Sequence, residues 1–296
     1  MGSNRKKILV GVDGSDRSYE TVRYVSKVPL FQKMDVVLFH VFHKIPEAYW
    51  DLEKQFGWRI KDVRAWETER QKKIQAFMEK ARQLLVDAGF PRDAVKFKPH
   101  EMENGITRDI LSEANRGYRA IAVGRRGMSK VKELILGSVT TKLLEKVSFA
   151  PLHLIGKESS PEKVLVALDG SANSMRGVDY VGACLRGSDF KVNLIHIIRG
   201  DEKQYIEQAK ETITATFNDA KNRLGKSGLK SGQVTSKIIT GEESRAEAIV
   251  REAREGGYGT IVVGRRGISE VEEFSIGRVS NKVVYLAKGL AVWIIN

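Results

Sequence analysis

Gly124-Arg125-Arg126-Gly127, nine residues, then Gly137-Ser138-Val139-Thr140: the reading of this stretch decides the fold. The apolar run Ala120-Ile121-Ala122-Val123 precedes it, and Val139-Thr140-Thr141-Lys142-Leu143-Leu144, a helical pattern, follows. The stretch therefore reads as a strand, a loop with glycines at fixed places, and a helix start. Such a junction suits a phosphate group. Glycines let the backbone approach closely and take φ > 0. The free N–H groups and the dipole of a helix N-terminus favour anions, and Ser138 and Thr140 add hydroxyl donors.

The same stretch returns downstream. Gly264-Arg265-Arg266-Gly267, nine residues, and Gly277-Arg278-Val279-Ser280 follow Thr260-Ile261-Val262-Val263. Spacing and paired arginines are kept, while Arg278 stands where Ser138 stood. Glycines that served only as tight turns would not need the nine-residue interval twice.

Upstream of each copy the pattern also repeats. Lys7 to Val12 is a short apolar run ending in Asp13-Gly14-Ser15, and Lys163 to Leu168 ends in Asp169-Gly170-Ser171. Both read as buried parallel strands followed by a turn. Ser15 or Asp16 suits the N-cap of the next helix, with Tyr19, Val22, Val25 and Val28 on one face. Second strands are expected at Asp35–Phe42 and Lys191–Ile198, with His40 and His196 at matching places. Later elements are expected as a helix over Glu67–Ala88, strands at Val95–Glu101 and Val234–Thr240, and helices over Thr107–Asn115 and Lys203–Gly225. Fifth strands are expected at Pro151–Ile155 and Ala291–Ile295. Asp13 to Val41 and Asp169 to Ile197 both span 28 residues, but Asp13 to Gly124 spans 111 and Asp169 to Gly264 only 95. The surplus falls after the second strand, in the aromatic stretch with Tyr49, Trp50, Phe56, Trp58 and Trp66, which suits packing onto the domain or a partner chain.

Two α/β units follow, 1–157 and 158–296, each a parallel five-stranded sheet with helices on both faces. In such sheets a ligand binds beyond the strand C-termini, where strand order reverses. Asp13 and Gly124 face one crevice if the first and fourth strands are neighbours there.

The bulk numbers bound the function. The net charge is +13, with +11 in residues 1–157 and +2 in 158–296, a field that suits nucleotides, nucleic acid or anionic lipid, or simply a solvated surface. No Lys/Arg block is interleaved with aromatics as in single-strand binders. The single Cys184 excludes an intramolecular disulfide framework and, with no signal-peptide or membrane-spanning pattern, points to the cytoplasm. Its apolar helical surroundings suit a buried thiol. One His per half does not make a metal site, and the paired arginines read equally as phosphate contacts or as solvated loop charges.

The Gly-two-Gly-nine-Gly-Ser spacing, the strand ending in Asp-Gly-Ser and the His-Val pair closing strand two resemble the universal stress proteins over nearly the whole chain, as a tandem of the branch that binds ATP. The resemblance implies a Rossmann-like, flavodoxin-like open sheet in each half, the halves paired through their fifth strands about a pseudo-twofold axis, and leaves room for a further homodimer. It implies ATP, or ADP or AMP, with or without Mg2+, as the ligand. Asp13 would meet the ribose or adenine side, the Val41 backbone the adenine edge, Gly124 and Gly127 the ribose and phosphates, and Gly137, Ser138, Val139 and Thr140 the phosphates. In the second half the matching positions are Asp169, Ile197, Gly264, Gly267, Gly277, Arg278, Val279 and Ser280. Arg278 departs from the family's Ser/Thr: its guanidinium would either clamp a phosphate or fill the phosphate space and pair with Glu272 or Glu273. The first site is thus expected to be the better one.

Catalysis finds little support. The glycine loop lacks the Lys of a P-loop, and no carboxylate pair or Ser/His/Asp arrangement stands ready to activate water. Nucleotide binding in stress response or signalling is the preferred reading. A slow ATP hydrolase or nucleotidyl-transfer enzyme on the same scaffold is the alternative, and a basic nucleic-acid scaffold the third.

Overall fold

The computed structural model describes residues 5–43, 60–127, 136–267 and 275–296. The first half runs β1 (Lys7–Gly11), α1 (Asp16–Ser26), β2 (Asp35–Phe42), α2 (Ile60–Asp87), β3 (Val95–Glu101), α3 (Ile106–Ala114), β4 (Ala120–Gly124), α4 (Ser138–Lys146) and β5 (Leu152–Ile155). The second runs β6 (Lys163–Ala167), α5 (Ala172–Leu185), β7 (Lys191–Arg199), α6 (Lys203–Lys226), β8 (Val234–Glu242), α7 (Arg245–Glu255), β9 (Thr260–Gly264), α8 (Arg278–Leu286) and β10 (Ala291–Ile295). The expected elements are present, with ends shifted by a residue or two. The exception is α2, which starts seven residues ahead of expectation; polar positions extend a helix at little cost once it is nucleated. Residues 44–59 of the aromatic stretch, and Glu272 and Glu273, lie outside the described residues.

The strands form one ten-stranded sheet in the order β3-β2-β1-β4-β5-β10-β9-β6-β7-β8. Within each half all pairings are parallel. The halves meet through the antiparallel pair β5–β10, with Trp293 opposite His153 and Val292 opposite Leu154. So the fifth strands do join the two units, and each covers the apolar edge the other would expose.

Alternate strand residues feed two cores, one on each face. Ile8 and Val10 point to the face covered by α1, α2, α5 and α6; Leu9 points to the face covered by α3, α4, α7 and α8. Both faces are apolar because both are covered, as parallel strands require. At the junction His153 stacks on Trp293 with ring centroids 4.4 Å apart, and Tyr24 reaches across to Thr260 (Oη to Oγ1, 2.7 Å). Cys184 is fully buried beside this layer, and burial pushes its thiol pKa up, so it stays protonated and inert. Among the described residues no helix is long and apolar enough to cross a membrane.

Candidate functional site

In each half strand order reverses between the first and fourth strands, β1 beside β4 and β6 beside β9. At their C-terminal ends lies a cleft, of about 680 Å³ in the first half and about 640 Å³ in the second. Both volumes suit a nucleotide-sized ligand. The first is lined by Asp13, Val41, Gly124, Gly127, Gly137, Ser138, Val139 and Thr140, so every residue singled out there is gathered into one place. The second gathers Asp169, Ile197, Gly264, Gly267, Gly277, Arg278, Val279 and Ser280.

Local chemistry explains the placement. Gly14 and Gly170 have φ of 84° and 83°, a left-handed turn open to glycine. The turn folds Asp13 back so that its Oδ1 accepts from the Ser15 N–H (3.0 Å) and hydroxyl (2.6 Å). Asp169 holds the Ser171 N–H in the same way at 3.0 Å. Ser15 and Ser171, not Asp16, are the N-caps of α1 and α5. Among the described residues Asp13 and Asp169 are the only acids lining their clefts.

The helix starts face the clefts from the other side. Gly137 and Gly277 occupy the N-cap positions of α4 and α8, and no side chain caps either helix. The first amides of a helix have no partner inside it, so these point at whatever sits in the cleft. The hydroxyls behave differently from expectation at one position in each half. Thr140 Oγ1 donates to the Gly124 carbonyl (2.9 Å) and Ser280 Oγ to the Gly264 carbonyl (2.6 Å), both buried. They tie strand to helix, and what these positions present to an anion is backbone N–H.

His40 and His196 act as paired struts. Their Nδ1 atoms meet the Val12 and Leu168 carbonyls at 2.9 and 2.6 Å, fixing the ends of the first strands against the second. Burial lowers both pKa values, so the rings are neutral at pH 7.

The arginine pairs divide. Arg126 and Arg266 line the clefts. Arg125 and Arg265 turn away, are buried, and donate to carbonyls in the opposite half. Sequence reasoning missed further cations: Arg70 and Lys73 from α2 line the first cleft, and Arg199 and Arg245 the second. Arg70 lies one helical turn before Ile74 on the apolar stripe of α2, a spacing that could have flagged it. The first cleft also adjoins a smaller cavity of about 360 Å³ between α2 and the β2–β3 edge, lined by Phe42, Phe97 and Pro99.

A model described as the Universal stress protein family matches residues 4–152 and again 161–295. This chain belongs to that family. Among curated members, universal stress protein YxiE of Bacillus subtilis is 29% identical over 139 residues, 42% of this chain and 93% of its own length. A universal stress protein of Mycolicibacterium smegmatis is 24% identical over 201 residues, 66% of this chain and 65% of its own length. In three dimensions this tandem universal stress protein is similar to one from Archaeoglobus fulgidus, with a TM-score of 0.64, 21% identity and 99% of both chains covered. That likeness shows a shared tandem fold.

Proposed function

We propose that this universal stress protein binds adenine nucleotide, ATP or its di- and monophosphates, in both clefts, and acts by carrying it rather than by turning it over. The observation that supports this most is the convergence, among the described residues of each half, of one acid, the three glycines of the repeated loop and an uncapped helix start on a cleft of nucleotide size. The apolar wall suits a base: Val41, Ile106 and Ile110 in the first half, Ile197 and Ile249 in the second. Gly127 leaves the Asp13 carboxylate its place in the cleft, and Gly124 lets β4 lie close against α1 at Thr21 and the Arg17 carbonyl. Arg70, Lys73 and Arg126, and in the second half Arg266 and Arg278, supply charge of the right sign. A Mg2+ ion would arrive with the phosphates and keep waters, since Asp13 and Asp169 already hold a serine N–H. Binding at the first site is the tighter, because Ser138 leaves more room than Arg278 at the helix start.

Mass spectrometry of nucleotide released from denatured protein, with its molar ratio to chain, tests the reading. One to two adenine nucleotides per chain are expected. No nucleotide on purification and no heat with millimolar ATP would overturn it. Multiple-turnover phosphate release, lost in Gly127 variants, would instead favour a hydrolase.

A further inference from the structure

Arg125 and Arg265 are only 5% and 4% exposed, although each sits in a loop beside a cleft. Each side chain crosses to the other half, and Arg265 Nε also donates to the Ser275 carbonyl of its own half (2.7 Å). Arg265 Nη2 donates to the Leu144 and Glu145 carbonyls, at 2.6 and 3.1 Å, in the last turn of α4. Arg125 Nη2 donates to the Val284 carbonyl in the last turn of α8. The contacts are equivalent, for Arg125 and Arg265, like Leu144 and Val284, lie 140 residues apart. The final intrahelical bonds close on Leu143 and Val283, from the Val147 and Ala287 N–H groups. The next carbonyls, those of Leu144 and Val284, are among the four that a helix leaves unpaired, and a cation there also meets the negative end of the dipole.

The backbones of the same arginines bind their own helix starts. The Arg125 carbonyl accepts from the Gly137 N–H (2.9 Å), and the Arg265 carbonyl from the Gly277 N–H (2.8 Å). A closed ring results. The first glycine loop holds the start of α4 by backbone and the end of α8 by side chain. The second holds the start of α8 and the end of α4. A nine-residue helix is about 13 Å long, and one packed on a sheet moves as a unit, so a shift at one end appears at the other.

We propose that Arg125 and Arg265 are reciprocal positioning residues: each sets the cleft-facing start of the opposite half's helix, and the two sites are thereby coupled. This rests on the nucleotide reading for what the clefts hold. Both guanidiniums stay protonated at pH 7, since burial and the adjacent arginine lower them only to about 10. Lysine would keep the charge but not the planar guanidinium, whose Nη2 meets the helix-end carbonyls while, in Arg265, Nε holds Ser275.

The test uses the full chain with one cleft silenced. In an Asp169→Ala background only the first site binds, and adding Arg265→Met is expected to weaken ATP there about 5-fold or more, a usual size for coupling. Arg265→Lys should recover part of the loss. Asp13→Ala with Arg125→Met should do the same to the second site. In parallel, amide hydrogen exchange on nucleotide-free protein is expected to cross over. Arg265→Met should speed exchange in residues 138–147 more than in 278–287, where only the Ser275 tie is lost, and Arg125→Met should speed 278–287 more than 138–147. If the Met variants do not fold, the Lys variants carry the same comparison. Equal loosening of both helices, no loosening, or unchanged ATP affinity at the opposite site would overturn the proposal. If the parent binds no ATP while exchange still crosses over, the nucleotide reading fails and the positioning stands.

Discussion

The Oδ2 atom of Asp13 lies 2.5 Å from the place a Cβ on Gly127 would occupy, and Asp169 stands at the same 2.5 Å from a Cβ on Gly267. Real Cβ atoms do not come that close to a carboxylate, so the acid and the glycine are fitted to one another across each cleft. Gly127 is thus constrained by the Asp13 carboxylate as well as by any phosphate.

Gly127→Ala should therefore displace Asp13 without straining the backbone, since Gly127 is not among the positive-φ glycines. ATP affinity at the first site should fall by about 10-fold or more, or at least about 1.4 kcal/mol. Calorimetric titration would read this, and Gly267→Ala should remove the weaker binding event. If Gly267→Ala removes the tighter event, the ranking of the two sites is reversed.

The buried hydroxyl ties make a different prediction. Thr140→Val keeps the shape of the side chain but deprives the Gly124 carbonyl of its donor. Leaving a buried acceptor unmet costs about 1–3 kcal/mol. Urea denaturation should show that loss, and Ser280→Ala should show a similar one at Gly264.

His153 predicts a pH dependence. Complete burial lowers its pKa from 6.5 to about 3, and its Nε2 is 2.9 Å from the Tyr180 hydroxyl. The folded value lies below the unfolded one, so the unfolded chain binds the extra proton. Stability is then full above pH 6.5 and is lost progressively as pH falls toward 3. At pH 5 the loss from this one group is about 2 kcal/mol. Denaturant midpoints between pH 7.5 and 5 should show it, and His153→Gln should flatten the slope. An unchanged slope in that variant would count against His153 as its source.

Trp293 and β5 test the junction. Trp293 is fully buried against His153, Tyr24 and Tyr180. Trp293→Ala should cost about 3–5 kcal/mol, and both halves should melt together, because the removed ring packs against each. Residues 1–157 alone would expose the edge of Leu152–Ile155 and should pair with a second copy in sedimentation velocity. A monomer at high concentration would show that the exposed β5 edge does not by itself drive pairing.

What the sequence alone determined about this protein was local or repeated. Strand and helix periodicities, the Asp-Gly-Ser turns and the glycine spacings are set by residues close in the chain, so the elements, the two-unit organisation and sixteen of the residues that line the clefts were legible. The fifth-strand pairing was legible too, because an apolar edge has to be covered. Only the tertiary structure decided that Thr140 and Ser280 spend their hydroxyl protons on strand carbonyls, and that Arg70, Lys73, Arg199 and Arg245 stand at the cleft walls. Only it separated Arg125 from Arg126 and Arg265 from Arg266. Adjacent arginines in a loop look alike in sequence, and their fates depend on a carbonyl more than a hundred residues away, Val284 for Arg125 and Leu144 for Arg265. A helix end exposes its unpaired carbonyls wherever it stops, but only packing brings a buried cation to them.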